Sequence, residues 1–295
     1  MLLKDFISQG VASLRELYPE AEARSMVLQL YEELLGVARY THLVEPQTEI
    51  PAAKLPALQA ALERLEAAEP LQYVTGVASF CGYGFRVTPD VLIPRPETEC
   101  LVREACSAAA AILRERPSGG APLRVLDLCT GSGCIAWAMA LLMPGARVTG
   151  VDVSEAALAV ARGQDFSGTL AKLGAVAPTF VRADILDDTI GFQEASFDLV
   201  LSNPPYVLES QRAEMRRNVL DYEPALALFV PDEDPLRFYR AVGRWARHCL
   251  APEGRGVVEI NEDLGAQTQA VFLREGFGRA AVLLDFFGKD RLVSF

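Results

Sequence analysis

The stretch "RVLDLCTGSGCIA", residues 124–136, passes from a run of β-formers into a glycine-rich turn and out into a helix. Residues 124–128 read as a strand, the turn runs through Asp127-Leu128-Cys129-Thr130-Gly131-Ser132-Gly133, and a helix starts at Cys134. Gly131 and Gly133 allow a tight turn and close approach of a ligand to the backbone, while the helix N-terminus offers unpaired amides to a carboxylate or phosphate. A glycine turn by itself is weak evidence. It gains weight from Asp152, which ends the next strand about twenty residues on, where such folds set an acid against ribose hydroxyls.

Working outward, strands and helices alternate to the end of the chain: ARVTGVD and a helix from Ser154, PTFVRAD, FDLVLS, a helix near 235–250, GVVEI, a helix near 264–274, then AAVLLDF and DRLVSF. This alternation predicts an α/β fold with a doubly wound, largely parallel sheet, whose ligands bind at the carboxyl edge. Asp184 and Ile185 follow the third strand there, an acceptor for an adenine amino group beside an apolar contact. The fourth strand delivers Asn203-Pro204-Pro205-Tyr206 to the same edge.

Pro204 and Pro205 end that strand and hold its last polar side chain in place. A carboxamide supplies one acceptor and two donors without a change of charge, and a proline peptide carbonyl supplies a further acceptor. If Asn203 and the Pro204 carbonyl accept both protons of a planar NH2 group, they favour the charge that develops as its nitrogen becomes tetrahedral and leave its lone pair aimed at an electrophile. Tyr206 adds a flat surface.

The N-terminal region has a different texture. Leu3, Phe6, Ile7, Val11 and Leu14 make one helical stripe, Ala23, Val27, Leu30, Tyr31 and Leu34 a second, and Leu55, Leu58, Leu62 and Leu65 a third. Gly36 is expected to stop the second helix and Pro51 to start the third. The expected division is a helical bundle over 1–70, a β-hairpin and linker over 71–94 around Gly82 and Gly84, and the α/β domain over 95–295. A helix is expected from about Glu97 to Arg114.

A net charge of −11 argues against a stable nucleic-acid partner, although Arg212, Arg216 and Arg217 make a local basic patch. The first residues carry charges within their apolar pattern and do not read as a signal peptide, and no apolar run reaches the length of a membrane span. Six scattered cysteines without a CxxC pair and two isolated histidines predict reduced thiols in a cytoplasmic protein with no metal.

Two cofactors compete for the glycine turn. A dinucleotide oxidoreductase usually carries GxGxxG, and here Ala136 stands at the third glycine's position. The D-x-x-T-G-S-G form instead resembles motif I of S-adenosylmethionine-dependent methyltransferases. The order LQYVTG, VLIPRPETE, VLDLCTGSGCIA, VDVSEAALAVAR, SNPPY, YEPALAL and LLDFFGKDRLV resembles, over nearly the whole chain, the protein-(glutamine-N5) methyltransferases of the HemK/PrmC family. NPPY is shared with adenine-N6 methyltransferases, whereas IPRPETE and the helical N-terminal region are more specific.

The resemblance implies a class I (Rossmann-like) methyltransferase domain with a small helical N-terminal domain that recognises class I peptide chain release factors. It implies methyl transfer from S-adenosyl-L-methionine to the glutamine amide of their GGQ loop, by direct in-line displacement, in a monomer. Carried over by motif, Cys129, Thr130, Gly131, Ser132 and Gly133 surround the methionine part of the cofactor, Asp152 binds its ribose, and Asp184 and Ile185 lie by its adenine. Asn203, beside the cofactor, Pro204, Pro205 and Tyr206 hold the substrate amide. Arg95 and Glu97 match a family motif. Two places depart from the family pattern: Gln164 stands where Asn is usual, and FVPDEDPLRFY replaces a glycine-rich segment. The rival enzyme is an adenine-N6 nucleic-acid methyltransferase, and the rival of another class is an inert binding module for the release factor.

Overall fold

A computed structural model describes residues 1–116, 120–187 and 189–295. Its contacts divide the chain into two units, 1–77 with 216–222, and 78–215 with 223–295.

The first unit is helical: α1 (Leu3–Leu14), α2 (Glu20–Leu35), α3 (Thr41–Val44), α4 (Leu55–Glu66), α5 (Leu71–Thr75) and, from far along the chain, α10 (Arg217–Leu220). All five residues of the first stripe are buried, as are Ala23, Val27, Leu30 and Tyr31 of the second and Leu58 and Leu65 of the third. Gly10 lets α1 approach α2, since a Cβ there would stand 3.1 Å from Val27 Cγ2. Gly36 ends α2 in the left-handed region at φ 71° and donates its N–H to Glu32 O.

The third helix begins at Leu55 and not at Pro51. The Pro51 carbonyl instead accepts from the amides of Lys54 and Leu55 in a turn just ahead, and Pro56 occupies the first helical turn, where its missing N–H costs nothing. Within the same unit the Tyr222 hydroxyl donates to Ala67 O at 2.8 Å, and Arg216 pairs with Glu22 at 2.9 Å.

A hairpin of β1 (Val77–Phe80) and β2 (Tyr83–Arg86) leads into the second unit. Its two turn residues, Cys81 and Gly82, both have positive φ, 50° and 79°, the type I′ geometry that matches strand twist. Gly84 lies inside β2, and the segment read as hairpin and linker opens with the helical turn α5.

The central sheet, counted among the described residues, has seven strands: β3 (Arg124–Leu128), β4 (Arg147–Asp152), β5 (Thr179–Arg182), β6 (Phe197–Ser202), β9 (Leu250–Glu259), β10 (Ala281–Leu284) and β11 (Asp290–Ser294). Across the sheet the order is β5-β4-β3-β6-β9-β11-β10. The first five are parallel, and β11 runs antiparallel to both its neighbours. The doubly wound dinucleotide order places its sixth strand directly after the fifth; here the last strand is slotted between them. A separate pair, β7 (Val207–Leu208) with β8 (Phe229–Val230), lies beyond the edge of the main ladder.

The remaining helices are α6 (Thr98–Glu115), α7 (Cys134–Leu142), α8 (Glu155–Arg162), α9 (Ser167–Leu173), α11 (Ala225–Leu228), α12 (Arg237–Cys249) and α13 (Gly265–Arg274). Side chains alternate across each strand, so Val125, Leu199 and Leu201 join a core with α6 and α7, while Leu126, Leu128 and Val200 join another with α12 and α13. Strand β6 is buried on both faces, as a central parallel strand should be. Its one acid, Asp198, is matched by Arg124 at 2.7 Å and Arg116 at 2.6 Å. Chain order reverses between β3 and β6, the point where open α/β sheets leave a crevice for ligands.

Candidate active site

The carboxyl ends of β3, β4, β5 and β6 converge on an open cavity. Cys129, Thr130, Gly131, Ser132, Asp152, Asp184, Ile185, Asn203 and Pro205 line it, all nine named from the sequence. Gly133, Pro204 and Tyr206 do not.

The glycine turn packs three left-handed residues into five: Cys129 at φ 60°, Gly131 at 53° and Gly133 at 78°. For Cys129 that conformation costs about 1–2 kcal/mol, so the turn must be held by other bonds. Thr130 donates its amide to Val151 O at 2.9 Å and its hydroxyl to Asp127 Oδ2 at 2.5 Å. The Gly131 amide donates to Asp152 Oδ2 at 2.8 Å. From the far side Gln164 donates to Ser132 O at 3.2 Å and exchanges two bonds of 2.9 Å with the Arg86 backbone, tying the turn to the hairpin. Gln164, noted in the sequence only as a departure, is therefore a support of the turn.

The two glycines have different tasks. A Cβ on Gly131 would meet nothing within 4 Å, so this residue leaves open space at the cavity. A Cβ on Gly133 would meet Ala161 Cβ at 2.9 Å and Trp137 Cδ1 at 3.1 Å, so this residue serves close packing of helix against helix. Asp152 accepts from the amides of Gly131 and Ser154, one on each oxygen, leaving lone pairs free on both. Burial raises its carboxyl pKa, and the amides of Ser154, Gly131 and Val153 pull it back down. Asp184 accepts from the Leu186 amide at 2.8 Å and so caps a turn, while also lining the cavity beside the buried Ile185.

Asn203 closes the far wall. Its Nδ2 donates to Thr98 Oγ1 at 3.3 Å, and its buried Oδ1 has no hydrogen-bond partner among the described residues. Pro205 lines the cavity next to it. Tyr206 is turned away into the α12 and α13 core, where its hydroxyl donates to Glu259 Oε1 at 2.9 Å. Burial pushes the Tyr206 hydroxyl far up, and the adjacent Glu259 charge pushes it further. Tyr206 is half-buried there, with its hydroxyl anchored on Glu259.

Arg95 lines the cavity and pairs at 2.6 Å with Glu223, whose other oxygen accepts from the Ile93 amide at 3.1 Å. A buried carboxylate bonded on both oxygens ties the IPRP loop to the start of YEPALAL, and Pro224, Leu226 and Ala227 line the cavity just beyond it. Glu97 does not line the cavity; its carbonyl accepts from the Cys100 amide at the start of α6. Thr98 and Glu223 stood inside the quoted IPRPETE and YEPALAL stretches without a role, and Glu259 was not singled out, because the partners of all three lie more than fifty residues away.

These residues fit S-adenosylmethionine. Open space at Gly131 and the turn can admit its amino-acid end, Asp152 has free acceptors for ribose hydroxyls, and Asp184 beside Ile185 matches a polar edge on an apolar ring.

Comparison with known proteins decides the family. Residues 121–248 match the methyltransferase domain model and residues 5–76 the PrmC N-terminal domain model. A release factor glutamine methyltransferase of Bacteroides thetaiotaomicron is 41% identical over 282 residues, 96% of this chain and 95% of that protein. The chain belongs to the release factor glutamine methyltransferases. One from Flavobacterium psychrophilum is 36% identical over 99% of this chain and 98% of its own length. Among solved structures, the hMettl16 catalytic domain in complex with the MAT2A 3'UTR hairpin 6 aligns with a TM-score of 0.52 at 12% identity, over 83% of this chain and 81% of that one; the likeness is one of fold.

As a release factor glutamine methyltransferase, the chain is an S-adenosylmethionine-dependent enzyme with a class I, Rossmann-like domain. No helix among its described residues is long and apolar enough to cross a membrane.

Proposed function

We propose that this chain methylates the side-chain amide nitrogen, N5, of the glutamine in the GGQ motif of class I peptide chain release factors. The observation that carries the proposal is Asn203 Oδ1, a buried acceptor with no partner among the described residues, at the cavity that Gly131, Asp152 and Ile185 also line. S-adenosylmethionine held there would supply a methyl group by direct in-line displacement: the N–C bond would form as the S–CH3 bond breaks, the sulfur would leave as the neutral thioether of S-adenosylhomocysteine, and the nitrogen would give up one proton to solvent. An unpaired buried acceptor costs about 1–3 kcal/mol, a cost that an incoming N–H removes.

On this view Asn203 Oδ1 and the Pro204 carbonyl accept the two amide protons of the substrate, and these bonds strengthen as positive charge develops on nitrogen. Pro205 bounds the amide laterally. Tyr206 acts by fixing the Pro205-Tyr206 segment from behind. The cofactor rests on Cys129 to Gly133, with Gly133 acting through packing, and on Asp152, Asp184 and Ile185. The helical unit recognises the release factor. Relatives of 41% and 36% identity, spanning both domains and named release factor glutamine methyltransferases, support this assignment.

The rival, adenine-N6 transfer on a nucleic acid, would need free basic groups. Arg212, Arg216 and Arg217 are each paired within their own units, with Glu209, Glu22 and Asp221.

Labelled S-adenosylmethionine offered with release factor, with its GGQ Gln-to-Ala variant, or with DNA separates the two. Label is expected on the wild-type factor alone. Label on DNA, or equal label on the Gln-to-Ala factor, would sink the assignment. Asn203→Ala is expected to bind cofactor within a few-fold of wild type and to lose transfer by roughly 100-fold or more.

A further inference from the structure

The segment LLDFFGKDRLV, residues 283–293, makes the turn between β10 and β11, and strand register places that turn beside the cavity. Ser202 of β6 pairs with Val258 of β9, and the next residue of β9, Glu259, pairs with Leu292 of β11. Asn203 and Leu292 therefore stand in one row across the sheet. Because β11 runs antiparallel to β9, residues 285–289 project beyond that row, on the cavity side. Two strand spacings, about 10 Å, separate β6 from β11. On the helix side, Arg103 Cζ stands 4.5 Å from the centroid of the Phe286 ring. Arg103 is about 7.5 Å along α6 from Thr98, which lines the cavity.

This turn is fixed in shape and apolar at its tip. Asp285 accepts on Oδ1 from the amides of Phe287 at 2.8 Å and Lys289 at 3.1 Å, and on Oδ2 from Arg291 at 3.0 Å. Its own amide donates to Lys289 O at 2.9 Å, Gly288 takes the left-handed φ of 77°, and Lys289 pairs with Glu262 at 2.7 Å. None of these bonds uses the side chain of residue 286 or 287, so polar residues there would serve the turn equally well. Instead Phe286 and Phe287, 75% and 81% exposed, are the most exposed large apolar side chains among the described residues, and Leu284 just before them is 61% exposed. The Arg103 guanidinium over Phe286 holds that ring in place.

We propose that Phe286 and Phe287 are a docking surface for the release factor, covered by the domain that carries the GGQ loop when its glutamine enters the cavity. The inference rests on the glutamine assignment above and deepens it, adding a contact on the second unit to the recognition assigned to the helical unit. A loop threaded into a cavity brings the body behind it against the rim, and the tip stands at that rim. Aromatic rings on a turn that is already ordered lose little freedom on binding, which suits them as anchors. The face they meet is apolar.

The test compares the full wild-type chain with Phe286→Ser/Phe287→Ser, and with Phe286→Leu/Phe287→Leu, which keeps the tip apolar. Affinity for purified release factor is read by titration, together with KM and kcat of methylation, affinity for S-adenosylmethionine, and sedimentation of the chain alone. The serine pair is expected to weaken release factor binding and raise KM roughly 10- to 100-fold, with kcat and cofactor affinity within about threefold of wild type. The leucine pair should recover binding and KM to within about fivefold of wild type.

Wild-type affinity and KM in the serine pair would overturn the proposal, as would a loss in the leucine pair equal to that in the serine pair. A parallel loss of cofactor affinity would overturn it too, since the change would then have reached the cavity. Self-association of the wild-type chain that the serine pair abolishes would assign the tip to a second copy of the chain instead. If release factor bound the wild type and not the serine pair, yet accepted no methyl group, the glutamine assignment alone would fall and the docking surface would stand.

Discussion

Asp127 shows how one residue of the turn couples folding to pH. It is fully buried at the end of β3, and desolvation raises its carboxyl from 3.8 to about 7, against the lowering effect of the Thr130 hydroxyl and the nearby Ala136 amide. Below pH 3.8 the folded and unfolded chains both hold this proton. Between 3.8 and about 7 only the folded chain holds it, so the stability it contributes is present at low pH and lost as pH rises to about 7. In Asp127→Asn the amide oxygen can still accept from Thr130, and this slope should vanish. Urea midpoints at pH 5 and pH 8 should show the wild type losing stability, on the order of a few kcal/mol, that the variant does not lose. A variant with the same pH slope as wild type would exclude Asp127 as the source. The sequence places Asp127 in the D-x-x-T-G-S-G form but not its burial, and the supporting role of Gln164 was hidden likewise, since its partners Arg86 and Ser132 lie 78 and 32 residues away.

At the level of the element, the turn between β3 and α7 was legible because its signals are local. Both glycines were located, but their separate tasks depend on what faces them in space. Gly133→Ala should destabilise the fold by roughly 2–4 kcal/mol, since it combines left-handed strain with a contact of 2.9 Å to Ala161 Cβ. Gly131→Ala should cost only about 1–2 kcal/mol in stability yet weaken cofactor binding at least about tenfold, because its Cβ takes open space at the cavity. Denaturation midpoints and cofactor titration of the two variants check this, and equal effects on both quantities would refute the distinction. Strands β3 and β6 matched their sequence bounds residue for residue, each a short β-forming run that ends at a turn signal, the glycine turn or the two prolines. Strand β9 starts at Leu250, six residues before the apolar GVVEI run: Pro252 and Gly254 hide that part, which β11 does not pair.

For the whole molecule, alternation of strands and helices gave the fold class, but the order of strands is set by long-range packing that no local window contains. The helical unit has its own core, made from residues between Leu3 and Val74, and the cavity is lined wholly by the second unit. Both tryptophans, Trp137 and Trp245, also lie in the second unit. Cofactor at a hundredfold excess over its dissociation constant should stabilise that unit by about 2.7 kcal/mol. Thermal unfolding followed by tryptophan fluorescence should therefore shift upward, while a far-UV circular dichroism component from the helical unit stays in place. A single transition, shifting as one by both signals, would show that the units unfold together.

The slot taken by β11 bears on how the sheet is completed during synthesis. Strands β9 and β10 leave the ribosome before β11, yet neither can pair with the other, because β11 lies between them. Until residues 290–294 emerge, the nascent chain carries an unpaired β9 flank beside an apolar core, the kind of exposed edge that recruits other chains. Glu259, which accepts from the hydroxyl of Tyr206 next to the cavity-lining Pro205, sits on that flank. The same late pairing that shields the nascent chain from aggregation is thus the step that completes the surroundings of the active site.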